Sequence, residues 1–118
     1  MAGSKGGLRE VNLELGRPFV EQAIKRLTFE LHQSRRMGFH AVKLIHGYGS
    51  SGTGGRIRTD TRKYLTRLKA SGEIQDFIPG ERFSIFEEPT RRAFARCDAL
   101  RQDRDLERYN NGVTFVLL

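Results

Sequence analysis

Between Arg9 and Leu15 the chain alternates, with Val11, Leu13 and Leu15 on one side and Asn12 and Glu14 on the other. A period of two predicts a strand with one covered face, and it points Glu14 away from that face. Gly16-Arg17 turns the chain, and Pro18 suits a first helical turn, where its missing N–H costs little. Val20, Ala23, Ile24, Leu27 and Leu31 then recur three and four residues apart, which predicts an amphipathic helix reaching about Met37. Gly38 followed by apolar Phe39 is a Schellman stop. Ala41 to Ile45 is apolar except at Lys43, the pattern of an interior strand. Farther on, Ile57, Thr61, Tyr64, Leu65 and Leu68 mark the inner stripe of a second helix, about Arg56 to Ala70, ended by Ser71-Gly72.

The remaining third is less regular. Ile74, Phe77, Ile78, Phe83, Ile85 and Phe86 are interrupted by Pro79-Gly80, which reads as a strand, a turn and a short extension. Glu88-Pro89-Thr90 opens a short helix through Leu100, with Ala93, Phe94 and Cys97 facing inward. Asp98 to Tyr109 is dense in charge and reads as a surface excursion. Asn110-Asn111-Gly112 signals a turn, and Val113 to Leu118 a final apolar strand. The order β-α-β-α-β-β, with an extra short helix before the last strand, describes an α/β fold: two main helices on a small sheet of about four strands. Residues 1–8 read as a flexible arm, and 9–118 as a single domain able to bury a modest core.

Charge narrows the partners. Lysine and arginine number 21 against 14 acids, a net +7, which favours a polyanion. Cys97 stands alone, so neither an internal disulfide nor a cysteine zinc site can form, and a reducing, cytoplasmic compartment fits. No apolar run approaches the ~20 residues of a membrane span, so no membrane partner is expected. Histidines and carboxylates show no ligand spacing, so no metal and no cofactor are expected either.

The chemistry concentrates between Leu44 and Leu65. A strand runs into His46, then into five glycines (Gly47, Gly49, Gly52, Gly54 and Gly55), then into a basic helix. Free N–H groups at a helix start carry partial positive charge, and glycines let a ligand approach the backbone closely. With Arg56 and Arg58 in the first turn, the stretch suits phosphate oxygens. The second helix carries Arg56, Arg58, Arg62, Lys63, Arg67 and Lys69 against one acid, Asp60. Gly47 to Gly52 matches G-x-G-x-x-G, but further residues precede the helix and the chain is too short for a dinucleotide fold. Nor does Gly-Lys-Ser/Thr follow, as a Walker loop requires. His46 has two readings: general acid or base in phosphodiester cleavage, or a hydrogen-bonded anchor for the turn. Tyr48 either stacks on a base or covers the loop.

The stretch also resembles a known family. Ile45 to Gly49, Gly55, Ile57, Arg58 and Leu65 match the signature of the small MutS-related (Smr) domain: an apolar strand, H-G-x-G, further glycine, then L-R and an amphipathic helix. The closing Asn111-Gly112-Val113-Thr114 is similar to that family's last strand. The resemblance implies a two-layer α/β sandwich similar to the C-terminal domain of translation initiation factor three. It also implies DNA or RNA as partner, with nicking or cleavage in many members and ribosome-bound RNA as the target of some. With the glycine loop and the basic helix, the phosphate grip is expected on Gly47, Tyr48, Gly49, Gly52, Gly54, Gly55, Arg56, Arg58, Arg62 and Lys63. The family's first strand carries L-D-x-H-G, where this chain reads Val11-Asn12-Leu13-Glu14. Asn12 stands for the acid and Glu14 for the histidine. Catalysis would then fall to His46, with Glu14 orienting it if the two strand ends adjoin. Two readings follow: a structure-directed endonuclease, or a non-catalytic module on ribosomal RNA. Residues 85–109 form a longer insertion than the family core needs.

Overall fold

Ala41–Ile45, the apolar run, forms the interior strand β2. Leu8–Asn12 (β1) lies parallel to it on one side, in register Leu8 with Ala41 through Asn12 with Ile45. Val113–Leu117 (β4) lies antiparallel on the other side, and Asp76–Pro79 (β3) pairs antiparallel with β4. The mixed sheet therefore runs β1-β2-β4-β3. Parallel neighbours need a crossover, which helix α1 (Val20–Arg36) supplies between β1 and β2. Helices α2 (Thr53–Ala70) and α3 (Glu88–Arg96) complete the fold, with 3-10 turns at Gly80–Arg82 and Asp98–Gln102. The computed structural model describes residues 7–48 and 53–118.

Strand alternation sends β2 side chains to two cores. Val42 and Leu44 join Val11, Leu27, Leu31, Leu65, Leu68 and Val116 beneath α1 and α2. This is the expected two-helix layer. Its stripes are those of the pattern: Ala23, Leu27 and Leu65 are fully buried, and Ile57 nearly so. Both helices end as their glycines require. Gly38 and Gly72 take positive φ, while Phe39 N–H reaches Ser34 O (3.0 Å) and Glu73 N–H reaches Leu68 O (2.9 Å).

The second face is covered too. Ala41, Val113, Phe115 and Leu117 pack against Phe83, Ala93, Phe94, Cys97 and Leu100. Aromatic contacts dominate there, with the Phe83 and Phe115 rings 4.1 Å apart. Lys43 points into this side, only 2% exposed, and its Nζ meets Asp103 at 3.0 Å and Asp105 at 2.7 Å. Residues 98–109 are therefore not the surface excursion expected from their charge. Two of those charges are spent inward, and Leu106 packs on the core.

Several boundaries differ from the pattern, among them the helix from Glu88, which ends at Arg96 and not Leu100. Strand β1 stops at Asn12, because the Asn12 side chain accepts the Glu14 N–H (2.8 Å) and starts a turn closed by Arg17 N–H to Glu14 O (3.0 Å). The alternation continues through Leu13, which is fully buried, but Glu14 lies in the turn and not on a strand face. Pro18 precedes the helix, where Phe19 is the N-cap and its N–H is held by Gln22 Oε1 at 2.9 Å. Helix α2 opens at Thr53, three residues early, so Gly54 and Gly55 belong to its first turn.

Candidate nucleic-acid interface

β2 delivers His46 into the interior, where it is 0% exposed. Its Nδ1 lies 3.1 Å from Gly47 O and its Nε2 2.7 Å from Thr114 Oγ1. A carbonyl only accepts, so Nδ1 carries the proton and Nε2 accepts from the Thr114 hydroxyl. Thr114 Oγ1 in turn accepts from Arg62 Nε at 3.1 Å. Every member of this chain is satisfied with a neutral imidazole. Burial drives the His46 pKa down to about 4, opposed by the Gly47 carbonyl and reinforced by the Arg62 and Arg58 charges. The network ends in a guanidinium, which gives up no proton at neutral pH. His46 is thus buried with both ring nitrogens hydrogen-bonded, one to the loop and one to β4.

Arg62 is spent the same way. Its two terminal nitrogens fork onto Glu81 at 2.8 and 2.9 Å, and Nη2 also reaches Val113 O at 3.2 Å. Burial alone would raise the Glu81 pKa, but hydrogen bonds from Arg62 hold it below the usual carboxylate range. Arg62 lies one turn after Arg58 on the flank of the apolar stripe and leans toward the sheet. Its expected outward grip on phosphate is replaced by an internal clamp joining α2, β4 and the turn after β3.

Arg56, Arg58 and Lys63 are placed differently. Arg56 and Lys63 are exposed and Arg58 half-buried. Among the described residues no carboxylate pairs with any of the three. Arg58, Lys63 and Asn111 line one surface groove with Arg62 and Glu81. Beside it the ends of β1 and β2 meet. Leu13 N–H donates to Ile45 O (2.8 Å), while His46 and Gly47 N–H both reach Gly112 O at 3.0 Å. Gly47 has φ +78°, and a Cβ there would stand 2.7 Å from Glu14 Cδ. The left-handed backbone there favours glycine. Glu14 thus stands beside Gly47 in the His46 loop, while the imidazole's hydrogen bonds go to Gly47 O and Thr114. Tyr48, 59% exposed, lays its ring edge against Gly112, 3.3 Å from where a Cβ would sit. Gly49 and Gly52 lie outside the described residues.

A family model for the Smr domain matches residues 13–82, more than half of the chain. The chain belongs to that family. Comparison with curated proteins and with solved structures gives no match. The Smr match takes in α1, β2, α2 and β3 and ends at Arg82, which leaves α3, the following turns and β4 outside it. The Smr family is one of nucleic-acid-binding and endonuclease type. Among the described residues no group of three or more His, Cys, Asp or Glu could hold a metal ion. No helix there is long and apolar enough to cross a membrane. Thr114, Glu81 and Asn111 are the site residues that sequence reasoning passed over. Thr114 had a signal, as the one polar residue in a strand of five.

Proposed function

We propose that this Smr domain grips the sugar–phosphate backbone of a nucleic acid along α2. Arg58 and Lys63 hold phosphates in the groove walled by Asn111. Arg56 and the N–H groups of the first turn add positive potential at the helix start. Tyr48 stands at the lip. One observation carries the reading: Glu81, the carboxylate of that groove, is consumed by Arg62, while among the described residues Arg56, Arg58 and Lys63 have no acidic partner. Such cations gain most from phosphate, which replaces none of their existing bonds.

Cleavage is a further step, and the Glu14 contact with Gly47 favours one version of it. The exposed Glu14 carboxylate accepts a proton from water as the water oxygen bonds to phosphorus. The P–O bond to the leaving strand breaks with its oxygen protonated by solvent, and buried His46 holds the loop and strand that position Glu14. The non-catalytic alternative is docking on ribosomal RNA in the cytoplasm. A single panel separates these: parent, Arg58→Ala and Glu14→Gln proteins with plasmid, branched DNA and structured RNA. Arg58→Ala weakens binding to all of them by about five- to tenfold. Parental affinity in that variant contradicts the grip. Nicking lost in Glu14→Gln with binding retained supports the hydrolytic version, and binding without nicking selects the ribosomal one.

A further inference from the structure

The insertion presents a basic and aromatic edge that the phosphate grip of α2 does not use. Asp103 and Asp105 turn inward to Lys43, which leaves Arg104 between them exposed. Arg108 and Tyr109 follow, both exposed, with Tyr109 at 65% and in the left-handed region (φ +55°). Among the described residues neither Arg104 nor Arg108 pairs with a carboxylate. Nearby Glu107 is taken, its two oxygens accepting from the Ser84 hydroxyl (2.8 Å) and the Ile85 N–H (2.6 Å).

This edge is held in place and not loosely tethered. Asp105 accepts from Asn110 Nδ2 at 2.9 Å, Arg108 N–H reaches Asp105 O at 3.1 Å, and Gly112 N–H reaches Asn110 Oδ1 at 2.9 Å. Backbone held this way presents the Tyr109 ring without having to be ordered when a partner binds. The edge is also continuous with the groove. Asn111 lines the groove with Arg58 and Lys63, and Gly112, next in sequence, carries the ring of Tyr48. Two exposed tyrosines therefore flank the Asn110–Gly112 turn, with cations before and beyond them.

We propose that this edge binds unpaired bases, so that the substrate class is a single-stranded segment whose backbone continues into the α2 groove. Stacking on a tyrosine face requires a base freed from its pair, whereas phosphate contacts alone accept a duplex equally well. Arg104 and Arg108 neutralise the phosphates flanking the bases on Tyr109 and Tyr48. The inference rests on the phosphate grip proposed above.

The test is fluorescence anisotropy of the whole chain with labelled oligo(dT), oligo(U) and a blunt duplex of equal length. Tyr109 is exposed, so its replacement leaves both cores intact. Tyr109→Ala is expected to lose about fivefold or more on both single strands and less than about twofold on the duplex, while Tyr109→Phe keeps parental affinity. Tyr109→Ala within about twofold of the parent on single strands overturns the proposal, as does an equal loss on strand and duplex. Arg58→Ala separates the two claims. If it weakens all three probes while Tyr109→Ala changes none, the base-binding edge falls and the α2 grip stands. If Arg58→Ala binds every probe as the parent does, the α2 grip falls and takes the proposed path with it.

Discussion

His46 shows how much of one side chain's chemistry lies in its surroundings. Leaving a strand into a glycine loop is compatible with catalysis or with anchoring, and sequence position does not distinguish them. Zero exposure, a carbonyl on Nδ1 and a hydroxyl on Nε2 favour the anchor proposed above. The same burial has a thermodynamic signature. With its pKa lowered to about 4 in the fold against 6.5 in an unfolded chain, His46 stays neutral while the unfolded state takes up a proton. Its contribution is present above pH 6.5 and is lost as pH falls toward 4. Urea unfolding at neutral pH and near pH 4.5 is expected to differ by roughly 2–3 kcal/mol, and His46→Asn is expected to flatten that step. An unchanged profile in the variant contradicts the burial. Glu14 and Arg62 carry the complementary lesson, since each was legible as a charge but not by its aim. The Asx turn at Asn12 is a local side-chain bond that ends the alternation, and the Arg62 fork on Glu81 spans 19 residues; periodicity carries no information about either.

At the scale of elements, periodicity served where one core face decides the structure. Helices α1 and α2 and strands β2 and β4 lie where their apolar spacing puts them, because each buries a continuous stripe or run. The insertion was less legible. Its acids read as solvated because their cation, Lys43, is 60 residues earlier than Asp103 and looked like a lone interruption of β2. Burial alone would lower the Lys43 pKa, but Asp105 and Asp103 reverse that and hold it above its ordinary value. The triad pins residues 98–109 to the sheet and so fixes Arg104, Arg108 and Tyr109 in place. Removing the cation alone strands two buried carboxylates. Lys43→Met is therefore expected to cost on the order of 3–5 kcal/mol in urea unfolding. Adding Asp103→Asn and Asp105→Asn is expected to restore at least half of that loss. A single variant within about 1 kcal/mol of the parent would show that the triad does not hold the insertion.

Across the whole molecule, the net charge of +7 is sorted by place. Around the insertion the acids are engaged: Glu81 by Arg62, Glu88 by Arg92, Asp98 by Arg101, and Asp103 and Asp105 by Lys43. Among the described residues, Arg56, Arg58 and Lys63 on α2 and Arg104 and Arg108 on the insertion are cations with no carboxylate partner, and Arg58 and Lys63 share a groove with Asn111. Composition showed the excess, and the fold shows which charges remain to meet a polyanion. The salt dependence of nucleic-acid affinity reads that remainder most directly, since each phosphate contact releases counterions. Measured for the parent and for an Arg58→Ala/Lys63→Ala double variant, the slope of log affinity against log salt is expected to fall by about two. A double variant with the parental slope would mean that α2 does not hold the phosphate chain.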